Sequence, residues 1–472
     1  MRSKYLICFF LISNLGFGQV QNLVLKLNRA PLDIQNDFIV VSEFYGSDFS
    51  IIHRQEIPND SLVELKIQFG KASKTGLYQL YIEDPTEKEN NKVELILNPS
   101  ETPTIEANYY QLKNGSFSVL NSVENQAYND LTALKEYYGP QLADLRKKRI
   151  QLSHFEPNFK QTCTNLELEM ELLQAKYDQE LISVNNIYPE TFATRILLPL
   201  SLIPVRSANP QWAKEYDSYL SFLHKNYFHF VDFENAEILR HYVFCDNLFF
   251  FLNEYSVKNE IGAKKGIDVL MGNLKENQEV NSFVFNYLLS TFLKLENESL
   301  TMYLIENHSS NCSLDLPFEE LKKLQTIQAL SIGGTIPEIS LPDSNKKYLS
   351  LRAVSAKNEY TILFFWISWC ARCQKEIPEL NRIYQKYKSS KIGVYTVSLD
   401  EKEADWKEKT ATMDKNWNNV AELVPIKSSS IVKNFQISTT PAVFIVDKNG
   451  IIISKNVYGE NLDKVINTLV QK

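Results

Sequence analysis

The chain has 472 residues, enough for about three folded units at roughly 150 residues each. Hydrophobic residues make up 44% and charged residues 23%, which excludes a disordered chain, and 15 Gly with 17 Pro are too few for a turn-dense, all-β architecture. A net charge of −7 removes any electrostatic ground for a nucleic-acid partner.

At the N-terminus, Arg2 and Lys4 precede the apolar run Tyr5 to Leu15, and Gly16-Phe17-Gly18 supplies small residues after it. Charged start, short apolar middle and small-residue exit read as a secretory signal peptide over residues 1–18. The run is shorter than the roughly 20 residues needed to span a bilayer. Cys8 lies inside it rather than just after it, which argues against a lipid-modified N-terminal cysteine. The mature chain is therefore expected to be soluble and exported, in the periplasm or cell envelope.

Residues 19–123 show short alternating runs, among them Phe38 to Val41, Val63 to Phe69, Tyr78 to Ile82 and Val93 to Leu97. Turn residues such as Pro58-Asn59-Asp60 and Asn114-Gly115 separate them, which predicts a β-rich domain of antiparallel strands, a small sandwich or sheet. From 124 to 330 the apolar spacing becomes three and four, as in Leu131, Leu134, Tyr138, Leu142 and Leu145, and predicts an α-helical region. His224, His229 and His241 lack the spacing of a metal site. Ser331-Ile332-Gly333-Gly334 reads as a linker.

From 331 to 472 strands and helices alternate. Thr361 to Ile367 is a nearly continuous apolar run, as a buried central strand should be, and a helix is expected from Cys370 to about Lys388. Ile392 to Leu399 reads as a second strand. Ala442 to Val446 and Ile451 to Ser454 flank Asp447-Lys448-Asn449-Gly450, a hairpin signal, before a closing amphipathic helix. The whole is thus expected to be multidomain: β-rich, then α-helical, then an α/β sandwich.

Without Cys8 the cysteines are Cys163, Cys245, Cys312, Cys370 and Cys373, too few for a disulfide-stapled scaffold. Only Cys370 and Cys373 are close. A Cys-x-x-Cys pair at a strand-to-helix junction carries specific chemistry, because the unpaired N–H groups and dipole of a helix start favour a thiolate at Cys370. Cys373 falls one turn on, within reach of an internal disulfide. Cys370 is then the nucleophile and Cys373 the resolving thiol. A zinc site would need two further ligands, and no second close cysteine pair and no histidine after His308 supplies them.

Residues 332–472 resemble the TlpA/ResA-like branch of the thioredoxin superfamily. The resemblance rests on Trp369 before the first cysteine, Pro378 after the second, Thr440-Pro441 ahead of a strand, and the opening segment Gly334 to Leu341. It implies a thioredoxin-like fold and a thiol–disulfide oxidoreductase acting through a redox-active Cys370–Cys373 disulfide, with no other cofactor and no metal. It also implies a cis Pro441 facing the disulfide, with Trp369, Thr440 and Pro441 receiving the substrate peptide. Glu376 matches the family's acidic residue that exchanges a proton with the buried cysteine, while Phe364 stands where cytoplasmic thioredoxins bury an aspartate. Arg372 departs from the proline usual before the second cysteine, so Ala371 and Arg372 are the residues expected to tune the potential.

The resemblance further implies reduction of protein disulfides, a membrane electron donor of the DsbD or CcdA type, and apocytochrome c as one substrate. Long envelope proteins of this branch often carry a β-rich domain and a helical insert, and Val119 to Asn125 is typical of them. Those regions are expected to select substrate, dimerise or dock. A peroxiredoxin would place a proline several residues before its cysteine, which is absent here. The non-enzyme alternative is an envelope binding protein whose N-terminal two-thirds recognises a peptide or polymer, with the C-terminal domain in an accessory role.

Overall fold

The computed structural model describes residues 21–28, 37–57, 62–69, 74–83, 91–153, 155, 157–255, 259–310 and 312–471. The expected signal peptide and the Pro58-Asn59-Asp60 turn lie outside them. The chain divides into two compact units. One runs up to Leu289 and includes Tyr303–Leu314; the other comprises Ser290–Met302 and Asp315–Lys472.

Among the described residues the first unit begins with eight strands: β1 (Gln21–Asn28), β2 (Phe38–Tyr45), β3 (Asp48–Glu56), β4 (Leu62–Phe69), β5 (Gly76–Glu83), β6 (Val93–Leu97), β7 (Thr104–Asn108) and β8 (Ser118–Leu120). They form two four-stranded sheets, ordered β4-β1-β7-β8 and β3-β2-β5-β6. Every pairing is antiparallel except β1 with β7, which is parallel and breaks the wholly antiparallel expectation. The period of two explains the core: Leu23, Leu25 and Leu27 of β1 are all buried and meet Ile39, Val41, Leu80, Ile82, Leu95 and Leu97 of the other sheet. The two sheets therefore pack as a sandwich.

Helices take over at Val123–Gln151 and Phe159–Ile187, within the same compact unit. The first is anchored by its opening residues. Ser122 caps it, Glu124 accepts from the Phe192 N–H at 2.7 Å, and the Asn125 amide bonds both backbone groups of Ile96 on β6. Strand and helix textures meet at 123 in sequence, yet buried polar bonds join them into one body. Among the described residues, no helix is long and apolar enough to cross a membrane.

The second unit holds a hairpin of β9 (Ser340–Pro342) with β10 (Tyr348–Ser350), and a five-stranded sheet. The strands of the sheet are β11 (Tyr360–Trp366), β12 (Ile392–Ser398), β13 (Asn418–Ala421), β14 (Ala442–Asp447) and β15 (Ile452–Lys455), ordered β13-β12-β11-β14-β15. β12 pairs parallel with β11 and β13, while β14 runs antiparallel to β11 and β15. β11 is central, and its unbroken apolar run serves two cores. Ile362, Phe364 and Trp366 face the helices Ala371–Tyr387 and Gly459–Val470; Leu363, Phe365 and Ile367 face Ile336, Leu351, Ile431 and Phe435.

The stretch expected as a linker is instead stitched to the sheet. Gly333 N–H donates to Ile452 O, and Ile452 N–H returns the bond to Gly334 O, both at 2.8 Å. Gly333 adopts φ +89°, and a Cβ on Gly334 would lie 2.4 Å from the Ala329 carbonyl oxygen. The glycines are required by this tight turn after the helix Phe318–Ala329, not by flexibility.

Candidate active site

β11 ends at Trp366, and a short turn delivers Cys370 to the N-cap of the helix Ala371–Tyr387. The cap is the thiol itself: the Cys370 sulfur accepts the Cys373 N–H at 3.2 Å. The same Sγ lies 3.3 Å from the Thr440 carbonyl oxygen, its acceptor when protonated. Cys370 is partly exposed and Cys373 fully buried, and both are free thiols.

Their environments drive the two acidities apart. Partial burial alone would raise the Cys370 thiol, but hydrogen bonds from the Cys373 thiol, the Thr440 side chain and the backbone N–H groups of Cys373 and Arg372 outweigh it, and the group lies below its ordinary value. Burial pushes the Cys373 thiol up to about 12, with the hydrogen bond to Cys370 adding to the rise. One sulfur is thus suited to attack and the other is held as a thiol.

The Thr440–Pro441 peptide is cis, and Thr440 faces the nucleophile through its carbonyl group. Trp369, directly before Cys370, is 71% exposed. Arg372 carries its guanidinium 4.2 Å from the Tyr458 ring centroid, while Ala371 is exposed. Glu376 is half-buried and accepts the Gly459 N–H at 3.2 Å. The expected site residues Trp369, Cys370, Ala371, Arg372, Cys373, Glu376, Thr440 and Pro441 therefore gather at the C-terminal end of β11 and the turn into β14.

Three neighbours escaped the sequence reading. Tyr458, at the start of the C-terminal helix, donates its hydroxyl to Pro441 O at 2.8 Å and lies beneath Arg372. Gly459 beside it holds Glu376. Asp400 is 3% exposed, and its carboxylate accepts Ser368 N–H (3.0 and 3.2 Å), Ser368 Oγ–H (2.7 Å) and Ser398 Oγ–H (2.7 Å). These bonds replace a counter-ion and pin the turn that carries Trp369 and Cys370. The available signal was topological: Asp400 lies two residues past the end of β12, the strand parallel to β11, and so falls beside Ser368.

Residues 332–455 match the AhpC/TSA family. The thiol-disulfide oxidoreductase ResA of Bacillus cereus is 26% identical over 145 residues, covering 31% of this chain and 80% of the relative. ResA of Bacillus thuringiensis subsp. konkukian is 28% identical over 145 residues, with the same shares of each chain. Among solved structures, the thioredoxin domain of a thiol-disulfide oxidoreductase from Bacteroides vulgatus shares 28% identity, covers 30% of this chain and 98% of its own, and superposes with a TM-score of 0.28. By these likenesses the C-terminal domain is thioredoxin-like and similar to the thiol-disulfide oxidoreductase ResA over a stretch that includes Cys370 and Cys373, and thiol–disulfide oxidoreduction is the activity this similarity supports.

Proposed function

We propose that the chain is exported and acts in the cell envelope as a reductase of other proteins' disulfides, through Cys370 and Cys373. The observation that supports exchange through this pair is the N-cap position of the Cys370 sulfur, partly exposed and with its pKa lowered, ahead of a buried partner; export and the direction of electron flow rest on the N-terminal pattern and the resemblance. The Cys370 thiolate attacks one sulfur of a substrate disulfide, forming a mixed disulfide and releasing a substrate thiolate that takes a proton from water. Cys373 then loses its proton and attacks Cys370 Sγ, releasing the second substrate thiol and leaving the Cys370–Cys373 disulfide. Two electrons pass to the substrate. A membrane dithiol donor of the DsbD or CcdA type restores the pair.

The second step needs a base, because Cys373 is pushed up to about 12 and is protonated at neutral pH. Glu376, one helical turn beyond Cys373, is the group we assign to take that proton and return it to the leaving thiolate. Trp369, Thr440 and Pro441 receive the substrate chain, with the backbone of the Thr440 turn offering an edge to an extended peptide. Ala371 and Arg372 set the potential. The cysteine pair of apocytochrome c is a substrate of the expected kind.

The reduction potential of the mature protein tests the direction. A value near or below about −230 mV supports a reductase; a value near about −120 mV marks an oxidant and reverses the assignment. Cys373→Ser should trap a mixed disulfide on Cys370, visible as a substrate-sized mass increment that dithiothreitol removes. Absence of any such adduct with a disulfide-containing substrate would remove the assignment of roles.

A further inference from the structure

An open groove of about 340 Å³ is lined by Trp369, the residue before the nucleophile, and its other walls have no part in the exchange steps above. One wall is Ser368, Trp369 and Gln374; the other is the helix Glu403–Thr410, through Asp405, Glu408 and Lys409. Three- and four-residue spacing puts those charged residues on one helix face. Trp406 on the same helix is buried, 2% exposed, and fixes the rotation that turns that face to the groove.

The charges in the groove are unspent. Glu403 pairs with Lys407 at 2.7 Å on the same helix, but among the described residues Asp405, Glu408 and Lys409 make no ion pair. Two carboxylates and one ammonium share one wall, and Trp369, 71% exposed, stands opposite, directly before Cys370 in the chain. Just after the nucleophile on the redox helix, the exposed side chains Arg372 and Lys375 are cationic. A negative groove bearing an aromatic face next to a positive helix start favours one occupant, a cation with a flat face. Arginine meets both demands, since its guanidinium stacks on an indole and bonds carboxylates in a fork.

Building on the exchange reading above, we propose that this groove is a specificity site, which selects protein substrates carrying an arginine side chain close to the target disulfide. Trp369 stacks the guanidinium, and Asp405 and Glu408 accept its N–H groups. The volume suits a single side chain, at the low end of the roughly 300–1,000 Å³ of ligand sites. Because the carboxylates are exposed, the preference is modest and weakens with salt.

The test compares two cyclic peptides closed by one disulfide, identical except that arginine or its neutral isostere citrulline flanks the cysteines. Their rates of reduction by the full-length protein are followed by thiol alkylation and mass, with neutral hydroxyethyl disulfide as a reference substrate. The arginine peptide should react about fivefold faster at low salt, the range of one or two exposed ion pairs. The ratio should fall to near one in the Asp405→Asn/Glu408→Gln double variant and widen in Lys409→Gln. Equal rates for the two peptides, or a preference that survives the double substitution, would overturn the groove while hydroxyethyl disulfide is still reduced. Failure to reduce any of the three would overturn the exchange reading and the groove with it.

Discussion

At the scale of single residues, the site works by separating two chemically identical thiols. Cys370 is lowered by hydrogen bonds that outweigh its partial burial, and Cys373 is raised to about 12 chiefly by burial. Alkylation of the reduced protein by iodoacetamide should therefore modify Cys370 first. Its rate should rise through a midpoint below that of an ordinary thiol, while Cys373 stays unmodified until the protein unfolds. Peptide mapping across pH 5 to 10 reads both. Asp400 sets up this geometry from behind. Asp400→Asn puts an amide N–H₂ against Ser368 and Ser398 groups that now donate to it, and should cost about 1–3 kcal/mol of stability by urea unfolding. Glu376→Gln should slow release of the mixed disulfide at neutral pH while leaving Cys370 alkylation nearly unchanged, with stopped-flow separating the two steps.

At the scale of elements, helix starts carry much of the organisation. The redox helix is capped by a thiol, and the helix Val123–Gln151 begins with Ser122 as cap and Asn125 clamped on β6. Asn125 donates to Ile96 O at 2.7 Å and accepts Ile96 N–H at 2.9 Å. β6 is the last strand of its sheet, so the side chain completes an edge that would otherwise bury two unpaired backbone groups. Asn125→Ala leaves both orphaned and should destabilise the first unit by about 1–3 kcal/mol, read from its denaturation midpoint. The segment Val119 to Asn125, singled out in the sequence by resemblance alone, thus has a physical role as a joint. Glu403–Thr410 is a helix whose pattern was illegible for the opposite reason. Only Trp406 along it is buried, so no apolar stripe announced it.

At the scale of the molecule, two compact units invite two unfolding transitions, and one buried group labels the first. His241 is 2% exposed, accepts the Val243 N–H through Nδ1 at 3.1 Å, and packs against the rings of Tyr128 and Tyr242. Burial, aided by the charge of Lys135, pushes it down to about 3. The folded value lies below the unfolded value of about 6.5, so its contribution is complete above pH 6.5 and is lost as pH falls toward 3. The loss approaches about 1.4 kcal/mol per pH unit within that window. His241→Phe should flatten the acid dependence of the first unit's transition relative to wild type and leave the second unit's unchanged, as calorimetry at pH 7, 6, 5 and 4 would show.

The sequence by itself determined what local pattern and covalent spacing can encode. The buried strand Tyr360–Trp366, the helix beginning at Cys370, the Asp447–Gly450 hairpin and the reactive pair were all legible, because period, turn chemistry and a two-residue gap are written in adjacent residues. β13, four residues reading Asn-Asn-Val-Ala, was not, since an edge strand needs no apolar run. Tertiary structure alone decided what depends on residues distant in sequence. Asp400 reaches Ser368 because β12 lies parallel to β11, Tyr458 reaches Pro441 because the last helix returns across the sheet end, and Asp405 and Glu408 face Trp369 because Trp406 is sunk in the core. Each of those contacts is fixed by chain topology and packing, and none leaves a periodic mark on the residues that make it.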